Sequence, residues 1–204
     1  MLNKLPELKE SPSQTAGPYV HIGLTPNFCG IHGVYHEDLG VSMLTPGTEG
    51  ERITITGHVI DGSGAPVADA VVEVWQADAN GAFAPEPAPV GTAAPPHFLG
   101  FGRQAVDEKG AFRFETIKPG RVPGPDGKPM APHVTLWIVA RGINIGLHTR
   151  LYFVDEADAN AEDPVLLRVP EARRKTLIAK VAGPGHYALD IRLQGDDETV
   201  FFDI

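Results

Sequence analysis

The chain carries a single cysteine, Cys29, so no disulfide can close within it, and a reducing compartment is the expectation. No apolar run approaches the ~20 residues of a membrane-spanning helix. The opening "MLNKLPELKESPSQ" lacks the apolar stretch of a secretion signal. Basic clusters are missing too. A formal charge of −9 with no basic stripe argues against a nucleic-acid or anionic-membrane surface, while one well-placed cation can still hold a small anion. A soluble, cytoplasmic protein is expected.

What is present is turn-forming and apolar. Twenty-three glycines and nineteen prolines suit many short strands, and 42% apolar composition suffices for one substantial core. Residues 1–50 show little periodicity and many chain breakers, which predicts an extended arm lying on the core or on a partner. Residues 51–204 change character. "RITITGHVID", "AVVEVWQAD", "GRQAVDEKGAFRFETI", "HVTLWIVAR", "GLHTRLYFV", "HYALDIRL" and "ETVFFDI" read as strands separated by turns. "PEARRKTLIAK" reads as a short helix, and "APEPAPVGTAAPPH" and "RVPGPDGKPMAP" as proline-rich loops. The predicted architecture is an antiparallel β-sandwich with an N-terminal arm and a short helical segment.

Several motifs promise chemistry and fail on inspection. His32 and His36 in "HGVYH" are four apart, but Gly33 and loop-like flanks argue against a metal-binding helix. "GFGRQA" leads towards a turn and a strand rather than a phosphate-holding helix. Serines are few, Ser63 belongs to a hairpin-like turn, and Cys29 has no base beside it in sequence. His133 and His148 fall on predicted strands, where hydrogen-bonded core histidines are the ordinary finding. Arg141 is less ordinary: it follows "LWIVA" and precedes "GINI". A guanidinium in such a segment needs a carboxylate partner, from the protein or from a ligand.

Taken together, "SPSQTAGPYVHIGL", "EVWQADANG", "FGR", "TIKPG", "APH", "ARGINIGLHTRLYF", "RRKTLIAK" and "ETVFFDI" resemble the intradiol catechol dioxygenases. "SQTAGPY" and "ARGINIGLHTRLYF" point, within that family, to the α-type chain of members built from two kinds of subunit. The match is collinear from about Glu10 to Ile204.

The resemblance implies a β-sandwich whose arm crosses to a catalytic β chain. It also implies a non-haem ferric ion that catalytic members hold with two tyrosinates and two histidines. This sequence departs at those positions. Val122 stands where the second tyrosine is expected, and Thr135 replaces the mate of His133. The first tyrosine position falls near Val90, and no tyrosine occurs between Tyr35 and Tyr152. One imidazole cannot retain ferric iron, which prefers hard anionic donors. The resemblance therefore implies no metal ligand and no catalytic residue on this chain, with Fe(III) bound by the partner.

By the same resemblance, Thr15, Gly17, Pro18 and Arg141 line the partner's substrate cavity, the arginine facing an anionic carboxylate. The implied reaction is cleavage of 3,4-dihydroxybenzoate (protocatechuate) with O2 to 3-carboxy-cis,cis-muconate, in aromatic catabolism through the β-ketoadipate pathway. Higher αβ oligomers and an obligate contact of roughly 2,000 Å² or more are expected. Two other functions compete: a stand-alone β-sandwich binding a small aromatic acid without turnover, and a metalloenzyme using His32, His36 and His133.

Overall fold

The computed structural model describes residues 15–84, 97–125 and 127–203. Alternating apolar residues build its strands. In β1 (Arg52–Ile60), Ile53, Ile55 and Val59 face inward, and in β4 (Ala111–Ile117), Phe112 and Phe114 do the same. The other strands are β2 (Val71–Trp75), β3 (Phe101–Ala105), β5 (His133–Val139), β6 (Leu147–Phe153), β7 (Ile178–Gly183), β8 (His186–Ala188) and β9 (Ile191–Arg192). They hydrogen-bond in the order β3-β2-β5-β6-β7-β8-β1-β4, with β9 beside β1. Val72, Val74, Leu136 and Leu151 from one half meet Ile55, Phe114 and Tyr187 from the other in one core. The predicted β-sandwich is observed.

Its pairing is mixed rather than purely antiparallel. β6–β7, β1–β8 and β1–β9 run parallel. A parallel neighbour needs a crossover connection, and the segment from β6 to β7 supplies one through α2 (Ala157–Glu162), a 3-10 turn (Leu166–Arg168) and α3 (Glu171–Arg174). β1 and β2 do not pair, nor do β3 and β4: chain neighbours enter opposite halves.

Three local expectations need correction. The helix in "PEARRKTLIAK" ends at Arg174; Lys175–Leu177 is a 3-10 turn, and Ile178 begins β7 because its backbone pairs with Tyr152. "ETVFFDI" forms no strand among the described residues and contributes only a bridge from Phe202 to His148. The arm, expected to be extended, contains a helical turn, α1 (Val20–Leu24).

The arm is nevertheless tied to the sandwich. Met43 is buried in the core, and Arg103 donates its N–H to the Gly40 carbonyl at 2.9 Å. Gly40 has φ +84°, and a Cβ there would approach Arg103 N to 2.5 Å, so only glycine fits. Asp38 accepts the N–H groups of Asn27 and Phe28, both at 2.8 Å. Among the described residues no helix is long and apolar enough to cross a membrane.

Candidate functional site

Polar residues gather at two corners of the sandwich. The first is where β5 gives way to β6. The strand stops at Val139, Ala140 is buried, and Arg141 begins the turn. Its side chain is 66% exposed rather than buried in apolar surroundings, and its Nε lies 3.2 Å from Asp69 Oδ2. The apolar run was the misleading signal: it belongs to β5, and the charge falls just beyond its end. Asp69 is the carboxylate partner that the sequence left unnamed.

The arm reaches this corner. Gly142 donates its N–H to Thr15 Oγ1 at 2.9 Å, and Ala16 donates to the Ile143 carbonyl at 3.4 Å. Thr15 is thereby held next to Arg141. A cleft of about 710 Å³ opens here between the Asp61–Asp69 turn and the Arg141–Ile145 turn. Gly17 and Pro18 continue past it towards α1, with no hydrogen bond to Arg141 among the described residues. A Cβ on Gly17 would meet nothing within 4 Å, yet its φ of +72° still favours glycine. So the structure joins Thr15 to the Arg141 turn, and leaves Gly17 half-buried and Pro18 exposed beyond it.

The second corner holds His133. Its Nδ1 donates to the Ala131 carbonyl at 2.8 Å, which leaves Nε2 as the unprotonated nitrogen. Burial, and next the nearby Arg150 cation, push its pKa down to about 4, so the imidazole is neutral. Tyr152 lies directly across the ladder and donates to Asp163 Oδ1 at 3.2 Å. Burial lifts its phenol above the ordinary range. Asp163, fully buried, also accepts the N–H groups of Ala131, Val165 and Leu166 at 2.8, 2.9 and 2.7 Å. The bonds to Val165 and Leu166 are local, two and three residues on, but those to Ala131 and to Tyr152 on β6 join distant segments that no sequence pattern announced.

A ferric ion does not fit these residues. Val122 packs in an apolar cluster with Ala77 and Met130, and Thr135 carries a neutral hydroxyl. The one nearby phenol is held protonated and spent on Asp163, so no anionic oxygen of the kind ferric iron prefers is offered. Among the described residues no three His, Cys, Asp or Glu side chains are placed to hold a metal. Val90 lies outside the described residues. His32 and His36 are exposed on a loop, His32 Nδ1 lying 3.4 Å from Asn27 Oδ1. Cys29 is half-buried, and burial raises its thiol pKa.

Comparison with known proteins agrees with this architecture. A family profile described as Dioxygenase matches residues 25–195. The chain is 48% identical to the protocatechuate 3,4-dioxygenase alpha chain of Pseudomonas putida, covering 96% of this chain and 97% of that one. It is 38% identical to the protocatechuate 3,4-dioxygenase beta chain of Burkholderia cepacia, over 74% of this chain and 67% of the other. Among solved structures, an intradiol ring-cleavage dioxygenase from Tetranychus urticae superposes with a TM-score of 0.57 at 22% identity, covering 91% of this chain and 94% of its own; this likeness speaks to the fold. With the family profile spanning most of the chain, and relatives matching nearly end to end, this protein belongs to the intradiol dioxygenase family.

Proposed function

We propose that this chain is the α subunit of a protocatechuate 3,4-dioxygenase, working with a β subunit that binds the iron. The observation that carries the reading is the 48% identity, nearly end to end, with a chain of that name. The donor chemistry around His133 supports it, because a family that uses non-haem iron needs ligands that these residues do not supply. The assembled enzyme cleaves protocatechuate with O2 between the hydroxyl-bearing carbons, giving 3-carboxy-cis,cis-muconate.

This chain's part is positioning. Residues 1–50 act as the arm that crosses to the partner, and residues 51–204 as the sandwich that anchors it. Thr15, Gly17 and Pro18 form one wall of the partner's cavity, where glycine and proline let rigid backbone approach a flat ring. Arg141 faces the substrate carboxylate, and Asp69 holds its guanidinium until substrate arrives. Such orientation affects rate even without a chemical role.

The test is iron content and the visible spectrum of the chain purified alone and after co-expression with its β subunit. Iron and a red-brown tyrosinate absorption only in the co-expressed sample are expected; stoichiometric iron in the isolated chain overturns the reading. In the complex, Arg141→Ala should raise KM for protocatechuate about tenfold, roughly 1.4 kcal/mol, with iron content unchanged. His133→Ala should likewise leave the iron in place.

A further inference from the structure

Beside His133 the outer face of the β5–β6 ladder opens into a second cleft. Thr135 and Arg150 stand directly opposite each other on that ladder. Val165 and Arg168, from the crossover, close one side, and Phe202 closes another. The space amounts to about 360 Å³, within the range of small-ligand sites and sufficient for one aromatic ring with a carboxylate.

Its charges are unevenly matched. Arg150 donates from Nη1 to Met130 Sδ at 3.3 Å and Tyr152 Oη at 3.4 Å, both weak neutral acceptors. Its Nε and Nη2 find no acceptor among the described residues, and neither Arg150 nor Arg168 forms an ion pair there. Among the described residues one carboxylate, Asp203, shares the cleft, and it pairs with neither arginine. Asp163 lies behind Tyr152 and is occupied by four hydrogen bonds. His133 is neutral, and His148 completes the rim. The Arg150 guanidinium is also 6.0 Å from the Phe202 ring centroid, so an aromatic wall stands beside it. Two cations, a flat apolar wall and a Thr135 hydroxyl are the complement of an aromatic carboxylate rather than of a metal.

We propose that this cleft, bounded by Arg150, Arg168 and Phe202, is a binding site for a small aromatic carboxylate of benzoate size, which it holds without chemistry. The reading is independent of the function proposed above, because the site is built wholly from this chain.

The probe is 4-hydroxybenzoate, titrated calorimetrically into the purified αβ complex. Two sites per αβ unit are expected, one of them at the partner's iron. Arg150→Met should abolish one site while turnover of saturating protocatechuate persists. Should that variant fail to assemble, Arg168→Gln gives the second reading, with affinity at one site weakened about tenfold. A single site in the wild type overturns the proposal. So do two sites that neither substitution alters, or inorganic phosphate competing as well as the aromatic acid. If no β subunit joins the chain, the full chain alone should show one site that Arg150→Met removes, so the two readings fail separately.

Discussion

The sandwich and the arm draw on similar apolar residues and leave most of them in opposite states. Ile55, Phe114, Leu136 and Leu151 of the sandwich are at most 1% exposed, whereas Tyr19, Phe28, Ile31, Val34, Tyr35, Leu39 and Val41 of the arm are 43–76% exposed. Pairing accounts for the difference. Each strand satisfies its backbone on a neighbour and turns one face inward, while the arm is held by scattered bonds such as those of Gly40 and Asp38. Large apolar side chains that the described residues leave uncovered are characteristic of an interaction surface. Among the described residues the arm gives the core Met43, with Leu44 packed against it, and leaves most of its other large apolar side chains open.

The sharpest way to break this contrast is inside the sandwich. Asp163→Ala strands three backbone N–H groups, two of them on buried residues, and the Tyr152 hydroxyl; a loss of about 4 kcal/mol is expected, read by denaturant unfolding. A loss below about 1 kcal/mol would mean that water replaces the carboxylate.

Next comes pH. The folded chain holds His133 at about 4 against an ordinary 6.5, so the unfolded chain takes up this proton first as pH falls. Stability from this residue is complete above about 6.5 and lost as pH falls towards 4, by on the order of 3 kcal/mol. His133→Gln should therefore flatten the melting temperature between those pH values, and a profile parallel to wild type would contradict it.

The smallest effect on the chain itself belongs to the arm. Phe28→Asp with Tyr35→Asp should weaken partner association about a hundredfold, roughly 2.7 kcal/mol, while shifting the chain's own unfolding by less than about 0.5 kcal/mol. Association and stability falling together would mean that Phe28 and Tyr35, like Met43, help to hold the core.

Strand alternation around Ile53, Ile55, Phe112 and Phe114 was legible because a period of two maps directly onto one buried face. The end of α3 was not, because Ile178 and Ala179 enter β7 only once β6 lies alongside. The same division holds at the two polar corners. Missing tyrosines and the replacement at Thr135 spoke against a ferric ligand set only through the positions that the family resemblance implied. The ion pair to Asp69 and the Thr15–Gly142 bond join residues far apart in the chain, and no local pattern encodes them.

The sequence by itself determined the strand-rich class, the family resemblance and the lack of tyrosine between Tyr35 and Tyr152, since each depends on residue type and local order. Only the tertiary structure decided that Arg141 is exposed, that Asp163 takes four hydrogen bonds, and that Arg150 faces a cleft with donors left over among the described residues. Those outcomes depend on which distant backbone groups and charges reach the same place, and only the folded sandwich sets that meeting.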